Sequence, residues 1–308
     1  MDHQPKSDAL FAQARQIDLR THRVVNDLLV GRYRSAFRGR GLEFDQVREY
    51  SPGDDVRAID WNVTAREGRP YVKTFVEERA LTLMLAVDVS GSQDFGSTAT
   101  PKRQLAAELA SVLALAGTRT HDRVGLILFS DRIEKVVPPR RGRNHAGRVV
   151  QEILGVEPAG RGTDIAQGVE VAATAAVKHG ILIVVSDFEL GGAPEHRKAR
   201  LDAMQRVLLN ASLRHDVVAV RVRDPRESQL VDVGVIAVED AETGEVVELD
   251  TSSRRVRERY AELAAARADE VTQALRAART DLVEVNPESG YLQPLVQFFA
   301  ERRRRASR

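Results

Sequence analysis

The chain has 308 residues, 43% of them hydrophobic, enough to bury a full core and to carry one large domain with a smaller addition. Its 46 basic and 45 acidic residues leave a formal net charge of +1, which excludes a global field drawing it to nucleic acid or to an anionic membrane. It has no cysteine, which excludes disulfides, thiolate metal ligands and thiol nucleophiles and fits a reducing compartment.

The opening stretch Met1 to Lys6 is polar, and no apolar run approaches the roughly 18 to 20 residues that span a bilayer, so a cytoplasmic protein is the expectation. Leu10 to Val30 is patterned for a helix, and Gly31 to Thr74 is rich in Gly, Arg and Asp with only short extended patches. From Leu81 the signal sharpens. Apolar strands at Leu81 to Val87, Val124 to Phe129, Ile181 to Ser186 and Val217 to Val222 alternate with helical patterns at Gln104 to Leu115, Asp164 to Lys178 and Lys198 to Leu213. Ser130-Asp131 reads as the turn of a hairpin to Ile133 to Val137, which adds one antiparallel strand. Downstream, Val233 to Glu239 and Glu245 to Asp250 flank Asp240 to Gly244 as a second hairpin. A long helix over Ser253 to Thr280, a strand at Leu282 to Val285 and a helix from Tyr291 to Arg305 complete the chain. The alternation predicts an α/β fold: a doubly wound, mostly parallel sheet with one antiparallel strand. Three parts are expected: residues 1–79, a main domain over 80–228, and residues 229–308 packed on it as hairpin, long helix and terminal strand and helix.

Asp88-Val-Ser90-Gly-Ser92 stands where the first of these strands ends, and open α/β sheets gather ligands beyond the carboxyl ends of their strands. One carboxylate and two hydroxyls are hard oxygen donors, suited to a cation such as Mg²⁺. Matching chemistry recurs downstream: Gly162-Thr163-Asp164 opens a helix, and the strand Ile181 to Ser186 ends at Asp187.

Asp88-x-Ser90-x-Ser92, then Thr163, then Asp187 after an apolar strand, resemble the metal-ion-dependent adhesion site of von Willebrand factor A-like domains. The resemblance extends to Gly39-Arg-Gly41-Leu-Glu43-Phe44, Arg48-Glu49-Tyr50-Ser-Pro-Gly53-Asp54-Asp55, Arg57-x-Ile59-Asp60-Trp61 and Ala65-Arg66. These are similar to the signature of a bacterial family of von Willebrand A-like proteins, number fifty-eight among the domains of unknown function, from about Gly31 onward. One position departs from the pattern: Gln93 stands where many such sites carry Met, and it is not a ligand position. The resemblance implies a Rossmann-type von Willebrand A-like domain over 80–228, with the signature segment in the part before it.

Mg²⁺ takes about six oxygens in near-octahedral geometry and keeps several waters, so two hydroxyls and two carboxylates suit it, or Mn²⁺ equally. Ser90 and Ser92 are expected as direct ligands, Asp88 and Asp187 as acceptors for ligating waters, and Thr163 as the residue that closes the ring, directly or through water. A largely neutral ligand set leaves the ion electrophilic, and the resemblance implies that a carboxylate of a client protein takes the open position. It also implies a MoxR-type AAA+ ATPase as partner, with this chain as an adaptor or co-chaperone in complex assembly or metal insertion; with no nucleophile or general base in the pattern, no enzymatic activity is expected.

Blander readings stand beside these. Asp-x-Ser-x-Ser also describes a capped turn, Thr163 or Asp164 serves equally as a helix N-cap, and Ser130 and Asp131 serve as turn residues. Asp54, Asp55, Asp60 and Glu43, interleaved with Arg48, Arg57 and Arg66, suggest ion pairs fixing this segment to the main domain, with Trp61 as a packing anchor. The runs Arg32, Arg34, Arg38 and Arg40, Arg140, Arg141 and Arg143, and Arg302 to Arg305 raise nucleic-acid binding. A phosphatase with an aspartyl nucleophile at Asp88 lacks the usual second Asp, because Ser90 stands there. No nucleophile elbow, Walker loop or zinc-protease motif is present.

Overall fold

The computed structural model describes residues 32–33, 36–37, 42–77, 81–98, 100–176, 179–239 and 246–306. The helix expected over Leu10 to Val30 lies outside the described residues, as do Arg34, Arg38, Arg40 and the turn at 240–245.

The N-terminal part holds an antiparallel pair, β1 (Leu42–Glu49) and β2 (Tyr71–Glu77), joined through a 3-10 turn at Val56–Ala58 and a short helix α1 (Trp61–Glu67). Asp60 caps α1 by accepting from the Asn62 and Val63 amides, and Gly68 ends it in the left-handed region at φ 69°. Among the described residues the ion pairs here are internal: Arg48 forks onto Asp54 at 2.7 and 2.8 Å, and Lys73 meets Asp60 at 3.2 Å. They brace the hairpin and its connection rather than fixing the segment to the main sheet. Trp61 corrects the packing expectation: it is 69% exposed, because α1 is under two turns long and buries none of its residues.

The main sheet has six strands: β3 (Thr82–Asp88), β4 (Arg123–Phe129), β5 (Ile133–Arg140), β6 (Ile181–Ser186), β7 (Asp216–Val222) and β10 (Asp281–Val285). Between them run helices α2 (Lys102–Arg119), α3 (Arg143–Gly155), α4 (Ile165–Ala175), α5 (Pro194–Ser212) and the single turn α6 (Pro225–Ser228). A second antiparallel pair, β8 (Val235–Glu239) and β9 (Val246–Asp250), precedes α7 (Arg254–Ala277), and α8 (Leu292–Ala306) follows β10. Strand order is β10-β7-β6-β3-β4-β5, parallel throughout except at β4–β5. The chain is therefore a mixed α/β protein with a mostly parallel, doubly wound sheet of Rossmann-like type and one antiparallel strand.

Alternation along the strands explains the two covering layers. Leu83, Leu85 and Val87 of β3 face α2, α3 and α8 through Leu109, Val149 and Phe299, whereas Met84 and Ala86 face α4, α5 and α7 through Val169, Leu208 and Leu275. Both faces are apolar, as a buried parallel sheet requires. The last part of the chain is built into this sheet, since β10 pairs in register with β7.

The sequence reading assigns no element between Val137 and Asp164, yet α3 lies there. Its buried Ala146, Val149, Val150 and Ile153 follow helical spacing, hidden behind the exposed basic approach Arg140 to Arg143.

From β3 the chain winds to β4 on one side and later to β6 on the other, which puts the topological switch point between β3 and β6. Packing near it is tight: a Cβ added to Gly168 of α4 would lie 2.6 Å from the buried Phe129 ring. Gly168→Val should therefore destabilise the protein by about 1–3 kcal/mol through overpacking. Urea unfolding would read this as a lower midpoint at unchanged slope.

Candidate metal centre

β3 ends at Asp88 and its neighbour β6 at Ser186-Asp187, so parallel register alone brings two carboxylates to one edge. Asp88 is 1% exposed and Asp187 2%. Asp88 accepts from the Ser90 amide at 2.9 Å through Oδ1 and from the Ser186 hydroxyl at 2.6 Å through Oδ2. Asp187 accepts from the Glu189 amide at 3.0 Å through Oδ1 and from the Lys102 ammonium at 2.7 Å through Oδ2. Each carboxylate oxygen thus keeps a second lone pair beyond these bonds. Phe188, between Asp187 and Glu189, sits in the left-handed region at φ 59° while its amide donates to Ser186 Oγ at 2.9 Å. A bulky residue there carries strain of order 1–3 kcal/mol, sustained by the surrounding packing.

Three loops are joined at this edge. The Val89 amide donates to the Phe129 carbonyl at 2.8 Å, the Gly91 amide to the Arg161 carbonyl at 2.9 Å, and the Asp164 amide to the Ser130 carbonyl at 2.7 Å. Ser90 is buried and Ser92 half-buried, and their hydroxyl oxygens stand 3.1 Å apart at the start of a 3-10 turn over Gly91–Asp94. Neighbouring ligands of an octahedral Mg²⁺ with bonds of about 2.1 Å lie about 3 Å apart, so the pair has suitable spacing. Asp164 is the cap of α4, accepting from the Gln167 amide at 3.0 Å. That leaves Thr163 without the capping role, and its Oγ1 is buried with no hydrogen-bond partner. An orphaned buried hydroxyl is the kind of donor that a bound cation or its water completes.

Asp88, Ser90 and Ser92 come from the end of β3 and its loop, Thr163 from the loop before α4, tied to it by the Gly91–Arg161 bond, and Asp187 from the end of β6, tied to it by the Ser186–Asp88 bond. The donor set is hydroxyl-rich: among the described residues no group of three or more His, Asp or Glu is placed to hold a metal. These residues fit a hard divalent ion that retains water.

Several participants escape the sequence reading. Ser186, the last residue of β6, ties the two strand ends together. Lys102, at the first position of α2, is fully buried and pairs with Asp187 and with Glu227 of α6. A cation in the first helical turn opposes the helix dipole, and that mismatch was the available signal. Burial pulls its ammonium towards deprotonation, but the Asp187 and Glu227 carboxylates outweigh this and hold its pKa above the usual lysine value. Asp224, capping α6, accepts from the Ser97 amide at 2.8 Å and its hydroxyl at 2.5 Å, a second tie between these loops. Gln93 is also fully buried, and neither atom of its amide has a partner.

Ser130 and Asp131 do turn the β4–β5 hairpin, with Ser130 Oγ donating to Glu134 at 2.6 Å and Asp131 paired to Arg132. Of the basic runs, Arg302 stacks on Phe37 at 4.7 Å and pairs with Asp216 and Asp281, and Arg305 also meets Asp281. These two serve the fold by fastening α8 to the sheet.

A doubly wound α/β protein with an oxygen-donor site at its switch point is the class that this geometry defines. A family model described as "Protein of unknown function DUF58" matches residues 46–270, and the chain belongs to that family. Uncharacterized proteins of Mycobacterium tuberculosis (Rv1480) and Mycobacterium bovis (Mb1516) are each 32% identical over 299 residues, covering 96% of this chain and 91% of the relative. Among solved structures, an aerotolerance-related membrane protein of Bacteroides fragilis aligns at TM-score 0.48 and 16% identity, over 72% of this chain and all of that one. BatB of Bacteroides thetaiotaomicron aligns at TM-score 0.44 and 16% identity, over 72% of this chain and 98% of that chain. No helix among the described residues is long and apolar enough to cross a membrane.

Two measurements follow. Burial, then the neighbouring Asp187 charge, raises the Asp88 pKa to about 6. Folding thus favours its protonated form, so this stabilisation is complete below about pH 4 and is lost as pH rises through about 6. Metal-free wild type should lose on the order of 1–3 kcal/mol from Asp88 across that window, and Asp88→Asn should flatten the profile in denaturant melts. Thr163→Val, removing an unpaired hydroxyl at constant shape, should leave metal-free stability unchanged or raise it by about 1 kcal/mol, read by the same melts.

Proposed function

We propose that this chain is a metal-dependent protein-binding adaptor, a von Willebrand A-like domain whose divalent site, Mg²⁺ or Mn²⁺, receives an acidic side chain of a client protein. The observation that carries the reading is the buried, unpartnered Thr163 hydroxyl, on a loop tied to the Ser90–Ser92 turn through the Gly91 amide and the Arg161 carbonyl, together with two serine hydroxyls 3.1 Å apart and two strand-end carboxylates. Ser90, Ser92 and Thr163 would hold the ion, while Asp88 and Asp187 orient the waters on it. Bound there, a divalent ion supplies Lewis acidity towards an incoming carboxylate. Ser186 and the Ser90 amide keep Asp88 turned to the site, and the Glu189 amide and Lys102 do the same for Asp187.

Both oxygens of Asp88 are already hydrogen-bonded, which suits a positioning carboxylate better than an aspartyl nucleophile, so the reading is of binding rather than of hydrolysis. The pairing of Arg302 and Arg305 with sheet-edge acids likewise disfavours nucleic acid as their partner. The partner class is the MoxR-type AAA+ ATPase implied by the family resemblance, with this chain as adaptor or co-chaperone in complex assembly.

The test is capture from the extract of the source cells. Wild type with Mg²⁺ should retain a AAA+ ATPase, and EDTA or the Ser90→Ala/Ser92→Ala variant should release it, as read by mass spectrometry. Mn²⁺ should raise the melting temperature of wild type and shift Ser90→Ala/Ser92→Ala and Thr163→Val much less. Equal capture by wild type and variant, regardless of metal, would refute the adaptor reading.

A further inference from the structure

Lys102 orients Asp187 in the proposed site, but its positive charge has no part in holding a cation there. Its side chain has no solvent exposure, yet it sits among the ligands' own supports, 2.7 Å from Asp187 Oδ2 and paired on its other side to Glu227. Glu227 lies on α6, beyond β7, and its second oxygen accepts from the Asp224 amide at 2.9 Å as half of a capping box. Asp224 in turn holds Ser97, which lies a few residues before Lys102. The ammonium is therefore fixed by two neighbouring elements, and it belongs to the site's charge balance whether or not an ion is bound.

That balance can be counted. Asp88, Asp187 and Glu227 contribute three negative charges when ionised and Lys102 one positive charge. An ammonium in hydrogen-bond contact with Asp187 repels a divalent ion whose waters lean on the same carboxylate, and burial leaves little solvent to screen that repulsion. We propose that Lys102 is a built-in counter-cation that competes with the divalent ion for Asp187, and that Glu227 moderates this competition by drawing the ammonium towards α6. The inference rests on the metal-site reading above and adds to it a determinant of affinity. The site is then tuned to weak binding, so that the ion is held firmly only when a client carboxylate adds its own negative charge.

The two residues act in opposite directions, and that gives the test its sign. In the full chain, Mn²⁺ binding is followed by electron paramagnetic resonance titration and by thermal unfolding with and without the ion. Lys102→Met should tighten Mn²⁺ binding at least tenfold, and Glu227→Gln should weaken it severalfold, because the ammonium then falls wholly on Asp187. Lys102→Met leaves the buried Asp187 and the half-buried Glu227 without their cation, so it should melt lower than wild type without metal and be restored by Mn²⁺ through a larger shift than wild type shows. The Lys102→Met/Glu227→Gln variant, which relieves one of those carboxylates, should bind at least tenfold more tightly than Glu227→Gln alone.

Unchanged or weaker binding in both Lys102→Met backgrounds, or a Lys102→Met protein that Mn²⁺ does not restore, would overturn the proposal. If Ser90→Ala/Ser92→Ala still abolishes binding in that case, the site itself stands and only the role of Lys102 is lost. Binding that ignores the serines, or is missing from every variant, removes the site and the proposal together.

Discussion

Two carboxylates buried side by side are the constraint around which this edge of the molecule is organised. Parallel pairing of β3 with β6 sets Asp88 and Asp187 at adjacent strand ends, and neither reaches solvent. Like charges in a low-dielectric site are costly, so each oxygen must find a donor. The donors are two backbone amides, the Ser186 hydroxyl and the Lys102 ammonium, and supplying them constrains the chain after β3, the chain after β6 and the start of α2. Even the left-handed conformation of Phe188 belongs to this arrangement, since it is what presents consecutive amides to Ser186 and Asp187.

The same requirement joins parts of the chain that are far apart in sequence. Lys102 ties α2 to Asp187 of the β6 end and to α6 beyond β7, and Asp224 reinforces the link through Ser97. Arg221, nearly buried on β7, pairs with Glu284 on β10 and reaches Thr272 of α7, so the C-terminal strand and helix are fastened by a charged group as well as by apolar contact. At the other end, Tyr33, Phe37 and Phe299 pack edge to face, and Arg302 covers Phe37 before reaching the sheet-edge acids. Of these pairs only Lys102 with Asp187 is buried on both sides, so replacing either partner there leaves an uncompensated buried charge.

The N-terminal signature segment follows a different logic. β1 and β2 form their own two-stranded unit, braced by Arg48 with Asp54 and Lys73 with Asp60, and Trp61 projects from a helix too short to bury it. Asp55 and Asp60 act locally as caps, and Arg48 and Lys73 as clamps. The candidate site instead draws on the long-range geometry of the main sheet, whose strand order sets the switch point between β3 and β6, which local sequence cannot create.

The sequence by itself determined the alternation of strands and helices from Leu81 onward except for α3 and the single turn α6, the hairpin at Ser130-Asp131, and the residue types at the strand ends, because apolar period and turn chemistry are local properties. It also supplied Asp88, Ser90, Ser92, Thr163 and Asp187 as candidates, since oxygen donors at the ends of apolar strands stand out against their surroundings. Only the tertiary structure decided which β-strands are neighbours, that Asp164 caps α4 while Thr163 is left unpaired, and that β10 enters the main sheet. It alone put Lys102 between Asp187 and Glu227, 85 and 125 residues away in the chain. Burial and long-range ion pairing are properties of the packed whole, so no local pattern in the sequence could have specified that cation's partners.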